Sequence, residues 1–227
     1  MTTPKRAAFF RAEGVLVSRG VLAATAYYAA NAQKFSERAL RFGVVALSAP
    51  LQGLLSQNDR TLANRIAFLA ARGMSEDRLA ELGEEYAEDI LKDKILDRGV
   101  ELIKRARAEG NRIVVLSDNI TEIMEPLLQH LPKIDDLVCN HLEIVDGEAT
   151  GKLLDPVIGS HGDGRWAQGY AERHDLDLKA CTAYGSHGTD LLLLAAVGKP
   201  CAVNPDFTLR RSAREADWPT IEYQEKD

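Results

Sequence analysis

The sequence predicts an α/β protein: a parallel sheet of the Rossmann type with helices on both faces, interrupted by an inserted all-helical segment. Three features point to it. Short apolar runs, AAFF at 7–10, RIVVL at 112–116 and CAV at 201–203, are bounded by turn residues, as strands covered on both faces are. Amphipathic stretches separate the later runs, the pattern of parallel strands joined by crossover helices. Between the first run and the rest lies a long Ala-, Leu-, Glu- and Arg-rich stretch with helical spacing and no strand-like alternation.

The composition sets bounds on function. The 227 residues are 45% hydrophobic and 27% charged, enough for a sizeable core. Net charge is −6, so no basic excess exists to drive binding to a phosphate backbone, and no nucleic-acid partner is expected. Cys139, Cys181 and Cys201 share no metal-ligand spacing and cannot all pair, which fits a reducing compartment. No export signal is visible, because Arg11 interrupts the first apolar run. The longest uncharged stretch, 42–58, contains Pro50 and several polar residues and falls short of the roughly 20 apolar residues of a membrane span. A cytoplasmic protein with no transmembrane segment is expected.

Along the chain, 7–10 reads as a buried strand, Gly14 as a turn and 15–17 as a second extended piece. From about 22 to 96 the spacing is helical, with Ser75-Glu76-Asp77 as a helix start. A helix over 100–108 ends at Gly110, a strand follows at 112–116 and a helix at 120–128. A strand at 136–139 precedes 143–153, where Asp146-Gly147 signals a hairpin. A helix over 165–174, a strand over 181–184, a helix over 190–197 and a strand over 201–203 complete the alternation. The expected domains are an α/β core of 1–18 and 95–227 and a helical cap of 19–94. Tyr27, Tyr28, Phe42 and 51–55 make that cap apolar. They are read as packing within its own bundle, the alternative being an exposed patch for a lipid-like ligand or a protein.

Ligands of open parallel sheets bind beyond the carboxyl ends of the strands. Four such ends carry polar residues: Arg11-Ala12-Glu13-Gly14, Ser117-Asp118-Asn119, Gly185 through Asp190, and Asn204-Pro205-Asp206. Ser117 reads either as a helix N-cap or as a hydroxyl which, with the backbone N–H groups after it, forms an anion site.

These strand ends, in this order, resemble the haloacid dehalogenase (HAD) superfamily, in its phosphoserine-phosphatase-like branch with a helical cap. The family's first motif is Asp-x-Asp-Gly-Thr-Leu after an apolar strand, and the frame here is Arg11-Ala12-Glu13-Gly14-Val15-Leu16. Its second is a strand ending in Ser or Thr, matched by Ser117. Its third is a Lys opening a helix after Gly, here placed at Gly164-Arg165. Its fourth is Tyr-Gly-Asp-Ser-x-x-Asp-Leu, here Tyr184-Gly185-Ser186-His187-Gly188-Thr189-Asp190-Leu191.

The resemblance implies what has been lost. The family's first Asp attacks phosphorus; Arg11 stands there, and a guanidinium has no lone pair to offer. The Asp that protonates the leaving oxygen is Glu13, and a magnesium-ligating Asp is Ser186. The degenerate positions Arg11, Glu13, Arg165 and Ser186 therefore imply no catalytic set, a lost magnesium site and no cofactor. The expectation is a catalytically inactive phosphatase homologue, a binding or regulatory protein. It would hold a small anion or phosphorylated ligand at Ser117, Asp118, Asn119 and Arg165, and the expected macromolecular partner is another protein or a second copy meeting its apolar cap. The alternative is a divergent phosphohydrolase acting on a small phosphomonoester through Glu13 or His187. Arg11 is expected to turn into the family's metal space and pair with Asp190, with Glu13 or Asp118 as a second acid.

Overall fold

The computed structural model describes residues 6–32, 35–55, 60–159 and 162–223. At the centre of a six-stranded parallel sheet lies β1 (Ala7–Arg11), between β2 (Arg112–Ile120) and β6 (Thr182–Gly185). Outside β2 runs β3 (Asp136–Asn140); outside β6 run β7 (Lys199–Val203) and β8 (Thr220–Ile221). The strand order is β3-β2-β1-β6-β7-β8.

The two-residue period of a strand sends alternate side chains to opposite faces. Ala7, Phe9, Val114 and Leu116 enter one core, and Ala8, Phe10, Ile113 and Val115 the other. The first core is closed by α7 (Gly162–Arg173), α8 (Leu191–Ala195) and α9 (Phe207–Glu215) through Ala167, Leu193 and Leu209. The second is closed by α5 (Asp97–Ala108) and α6 (Thr121–Leu128), through Ile103 and Met124 among others.

Between β1 and α5 the chain forms α1 (Val21–Ala30), α2 (Phe35–Leu55), α3 (Thr61–Phe68) and α4 (Glu76–Tyr86). Ser75 caps α4 by accepting from Arg78 N at 3.3 Å, and Glu76 and Asp77 complement the dipole in its first turn. Asp146 and Gly147, at φ 51° and 79°, turn β4 (Leu142–Val145) into β5 (Glu148–Leu153), the hairpin expected of Asp-Gly. That hairpin is hydrogen-bonded to the helical segment, which the sequence did not indicate. Gly73 N donates to Ala149 O and Ala149 N to Met74 O, each at 2.8 Å, and Glu76 N donates to Gly147 O.

Several boundaries differ from the sequence reading. β2 continues through Ser117, Asp118 and Asn119 to Ile120, so Ser117 is not an N-cap; Ile120 holds that place at α6 without a side-chain bond. α7 begins before Arg165. α8 stops at Ala195, short of 197, because Gly198 N turns to Leu178 O to enter β7. Tyr28 is buried as expected of the bundle, but Phe42 is exposed; the side chains of 51–55 lie outside the described residues. Among the described residues no helix is long and apolar enough to cross a membrane.

The helical segment also closely approaches α6. A Cβ on Gly83 of α4 would lie 2.2 Å from Glu122 O of α6. Gly83→Val is expected to force the two helices apart and lower stability by about 1–3 kcal/mol, the usual cost of overpacking, read as a drop in the thermal unfolding midpoint.

Candidate functional site

The carboxyl ends of β1, β2 and β6 converge on Arg11, the last residue of β1. It is the largest of the fully buried side chains, 1% exposed. Its Nε lies 3.1 Å from Asp190 Oδ1 and its Nη1 3.0 Å from Asp163 Oδ2; Nη2 bonds Asp118 Oδ1 and stands 3.9 Å from Glu13 Oε2. Each guanidinium nitrogen thus meets a carboxylate from a different element, a use of the planar donor fork that a Lys could not reproduce. Asp118 Oδ2 also receives Arg60 Nη1 at 3.2 Å.

A second constellation sits beside the first. Glu13 Oε1 accepts from Ser117 Oγ at 2.6 Å and from Asn119 Nδ2 at 3.1 Å, and Oε2 from Asp118 N at 3.2 Å. The hydroxyl and backbone N–H read from the sequence as an anion site are spent on this internal carboxylate. Ser117, Asp118 and Asn119 are all buried. Gly14, at φ +81°, follows Glu13 and leaves no room for a side chain: a Cβ there would lie 2.5 Å from Ser186 Oγ. Asp190 Oδ2 accepts from Ser186 N and His187 N, at 2.8 and 2.9 Å. Ser186 Oγ turns away and donates to Asn204 O.

The charges do not balance. Buried Glu13, Asp118, Asp163 and Asp190 face two guanidiniums, those of Arg11 and Arg60. Uncompensated buried charge is costly, so such a cluster tends to retain protons. Burial pushes the Asp163 carboxyl up to about 6, with Asp118 adding to the rise and Arg11 opposing it. Burial and Asp118 also raise Glu13. Burial pushes Asp118 up too, but Arg11 and Arg60 outweigh it and hold that carboxyl below its ordinary value. His187 is lowered by burial and by Arg60.

Above this cluster opens a cleft of about 360 Å³ between the sheet edge and the start of α1, with Glu13 and Asp118 at its floor and Arg19, Arg60 and His187 on its walls. Arg165 is not there. It is exposed on α7 and lines a separate groove with Gln168 and Leu192, because α7 opens three residues earlier and turns Asp163, not Arg165, toward Arg11. Asp163 and Arg60 are site residues the sequence reading missed. Gly162-Asp163 repeats the Gly-x frame two residues before Gly164-Arg165 and could have been weighed; Arg60 gave no signal.

The profile of the haloacid dehalogenase-like hydrolases matches residues 21–195. The chain belongs to that family. Among HAD-like relatives, phosphoserine phosphatase SerB1 of Mycobacterium tuberculosis is 32% identical over 168 residues, covering 74% of this chain and 54% of the relative. The inhibition of morphological differentiation protein of Streptomyces azureus is 31% identical over 160 residues, 69% of this chain and 57% of that protein. The matches thus span little more than half the length of these curated relatives. Of solved structures, a Bordetella pertussis protein of unknown function superposes with a TM-score of 0.80 at 20% identity, covering 96% of this chain and 99% of that one. A phospho-aspartyl intermediate analogue of phosphoserine phosphatase gives 0.73 at 17%, covering 97% and 95%. At these identities the superpositions show the shared fold.

Two outcomes follow from the cluster. Arg11→Met leaves buried carboxylates facing one another and should cost about 3–5 kcal/mol, whereas adding Asp190→Leu should recover part of the loss. The double-mutant cycle in urea is then non-additive by more than about 0.5 kcal/mol; additivity would mean that Arg11 and Asp190 are not coupled. Asp163, with its folded-state pKa raised from 3.8 to about 6, binds its proton more tightly folded than unfolded. Its contribution to stability is therefore present below about pH 4 and lost as pH rises through 6. Relative to wild type, Asp163→Asn should gain on the order of 2 kcal/mol between pH 4.5 and 8, with most of the change falling below about pH 6. A pH-independent difference would assign the excess proton to another group.

Proposed function

We propose that this chain is a non-catalytic member of the HAD-like hydrolases, a binding or regulatory protein whose cleft holds a small anion or phosphorylated ligand. One observation carries the reading: Arg11, which the motif resemblance aligns with the family's nucleophilic Asp, has each of its nitrogens fixed by a carboxylate. A buried, fully engaged guanidinium cannot attack phosphorus.

The residues present do not fit the family's magnesium. Asp118, Asp163 and Asp190 each direct an oxygen at Arg11, and Ser186, at an expected ligand position, bonds Asn204 O instead. Among the described residues no three His, Cys, Asp or Glu side chains are placed as a metal site. A divalent cation would have to enter against a fixed positive charge.

At the opening of α7 it is Asp163, two residues before the motif position Arg165, that pairs with Arg11, at 3.0 Å. With Ser117 and Asn119 committed to Glu13, an incoming anion would meet Arg19, Arg60 and the first turn of α1. In this reading the helical segment 19–94 serves as a cap over the cleft. The unpaired, buried Cys139, Cys181 and Cys201 are compatible with a cytoplasmic setting.

The second reading, a divergent phosphohydrolase acting on a small phosphomonoester, is favoured by the relatives. They include SerB1 and a histidinol-phosphatase of Neisseria meningitidis, 29% identical over 154 residues that cover 66% of this chain and 69% of that one. Glu13 would be its proton donor, since burial keeps that carboxyl raised.

The deciding measurement is hydrolysis of an aryl phosphate with magnesium, and again with chelator. No turnover in either condition is expected. Turnover that rises with magnesium, or a metal-independent rate abolished by Glu13→Gln, would establish the hydrolase instead. Titration of inorganic phosphate and phosphoserine by calorimetry is expected to show binding that Arg60→Ala weakens by roughly tenfold, the value of one charge-assisted contact.

A further inference from the structure

A second cavity, of about 240 Å³, lies where the end of α1 and the start of α2 meet residues 73–75 and the β4–β5 hairpin. It shares no lining residue with the cleft. Two guanidiniums from different helices line it, Arg41 of α2 and Arg78 of α4.

Arg41 is 8% exposed. Its Nη1 donates to Ala70 O at 2.5 Å; among the described residues its Nε and Nη2 meet no acceptor, and no carboxylate comes within ion-pair distance. Glu37, one turn earlier on α2, opposes the effect of burial on Arg41, but burial outweighs it and lowers the guanidinium's pKa. Arg78 is engaged through Nη1, 2.5 Å from Glu81 Oε2, while its Nε is buried without an acceptor. Holding Ala70 O takes one donor, and a guanidinium brings five. Burying a cation with N–H groups unused is costly unless an anion meets them.

The lining selects among anions. Nε–H and Nη2–H form the side-on edge of a guanidinium, two parallel donors matched to the two oxygens of a carboxylate. Ala32 and Met74 are buried members of the lining and give a short hydrocarbon body an apolar surface. Glu37 and Glu148 line the cavity too and disfavour a dianion. Glu148 is exposed and offers a partner to an ammonium.

We propose that this cavity is a binding site for a small carboxylate, simple or carried by an amino acid, whose two oxygens bridge Nε and Nη2 of Arg41. The site is independent of whether the cleft binds an anion or turns over a phosphomonoester.

Calorimetric titration of the full chain with acetate, alanine and inorganic phosphate tests this. Acetate and alanine are expected to saturate in the millimolar range, as suits ligands of so few atoms. Tighter binding of alanine assigns the site to an amino acid, and equal binding to a simple carboxylate. Arg41→Lys keeps one donor for Ala70 O but loses the two-pronged edge, and should weaken both roughly tenfold, the value of one charge-assisted contact. Arg60→Ala, which alters the cleft, should leave carboxylate binding unchanged. If Arg41→Lys fails to fold, nuclear magnetic resonance of the wild type supplies the comparison: acetate should shift the Arg41 Nε–H signal and slow its exchange. The proposal is overturned if neither carboxylate saturates, if folded Arg41→Lys binds them as the wild type does, or if the Arg41 signal is unmoved. It is equally overturned if Arg60→Ala abolishes the binding, which would place the carboxylate in the cleft, or if phosphate alone responds to Arg41→Lys.

Discussion

A guanidinium at the end of the central strand dictates the arrangement at the carboxyl edge of the sheet. Arg11 draws Asp118 from β2, Asp163 from the opening of α7 and Asp190 from the turn before α8 to one point. Three elements distant in sequence are tied by a side chain with one donor for each. The geometry tolerates no substitute: Lys lacks the fork, and a neutral residue strands the acids. The acids outnumber the cations, and burial raises the Asp163 carboxyl to about 6, so the cluster's charge depends on pH on the acid side of neutrality.

Much of this was legible in the sequence, and the limits are physical. Strand runs such as RIVVL announce themselves through burial on both faces, so the sheet and its alternation with helices followed. The polar strand ends located Arg11, Glu13, Ser117 and Asp190, and the charge of Arg11 in an otherwise apolar setting required an acid nearby. Asp163 was hidden because 162–165 offers two Gly-x pairs in succession, and local spacing does not say which one opens the helix; Gly164, inside α7, lies close against Leu192 O. Arg60 reaches Asp118 across 58 residues, a distance at which spacing carries no information. Ser117 was ambiguous because a hydroxyl after a strand serves a cap, a ligand or a neighbour equally well, and only the longer reach of Glu13 decides among them.

The helical segment and the sheet are joined more firmly than an inserted cap need be. Gly83 seats α4 on α6, and the backbone of residues 73–76 is hydrogen-bonded to the β4–β5 hairpin. Hydrophobic patterning finds neither contact, since one depends on a missing side chain and the other on main-chain groups alone. Together they brace one side of the helical segment, while the cleft is lined by the start of α1 and by Arg60, whose backbone N–H donates to Gly159 O.

Glu13 gives the cleft a resident competitor. Its carboxylate is held by Ser117, Asn119 and the Asp118 amide, two residues along the chain from the end of β1. A tethered group acts at an effective concentration that is millimolar even for loose linkers, and a side chain already in its bound geometry exceeds that. Any anion seeking the same donors would have to displace an occupant that never diffuses away. Only a rotation of the Glu13 side chain would free Ser117 Oγ, Asn119 Nδ2 and the Asp118 amide.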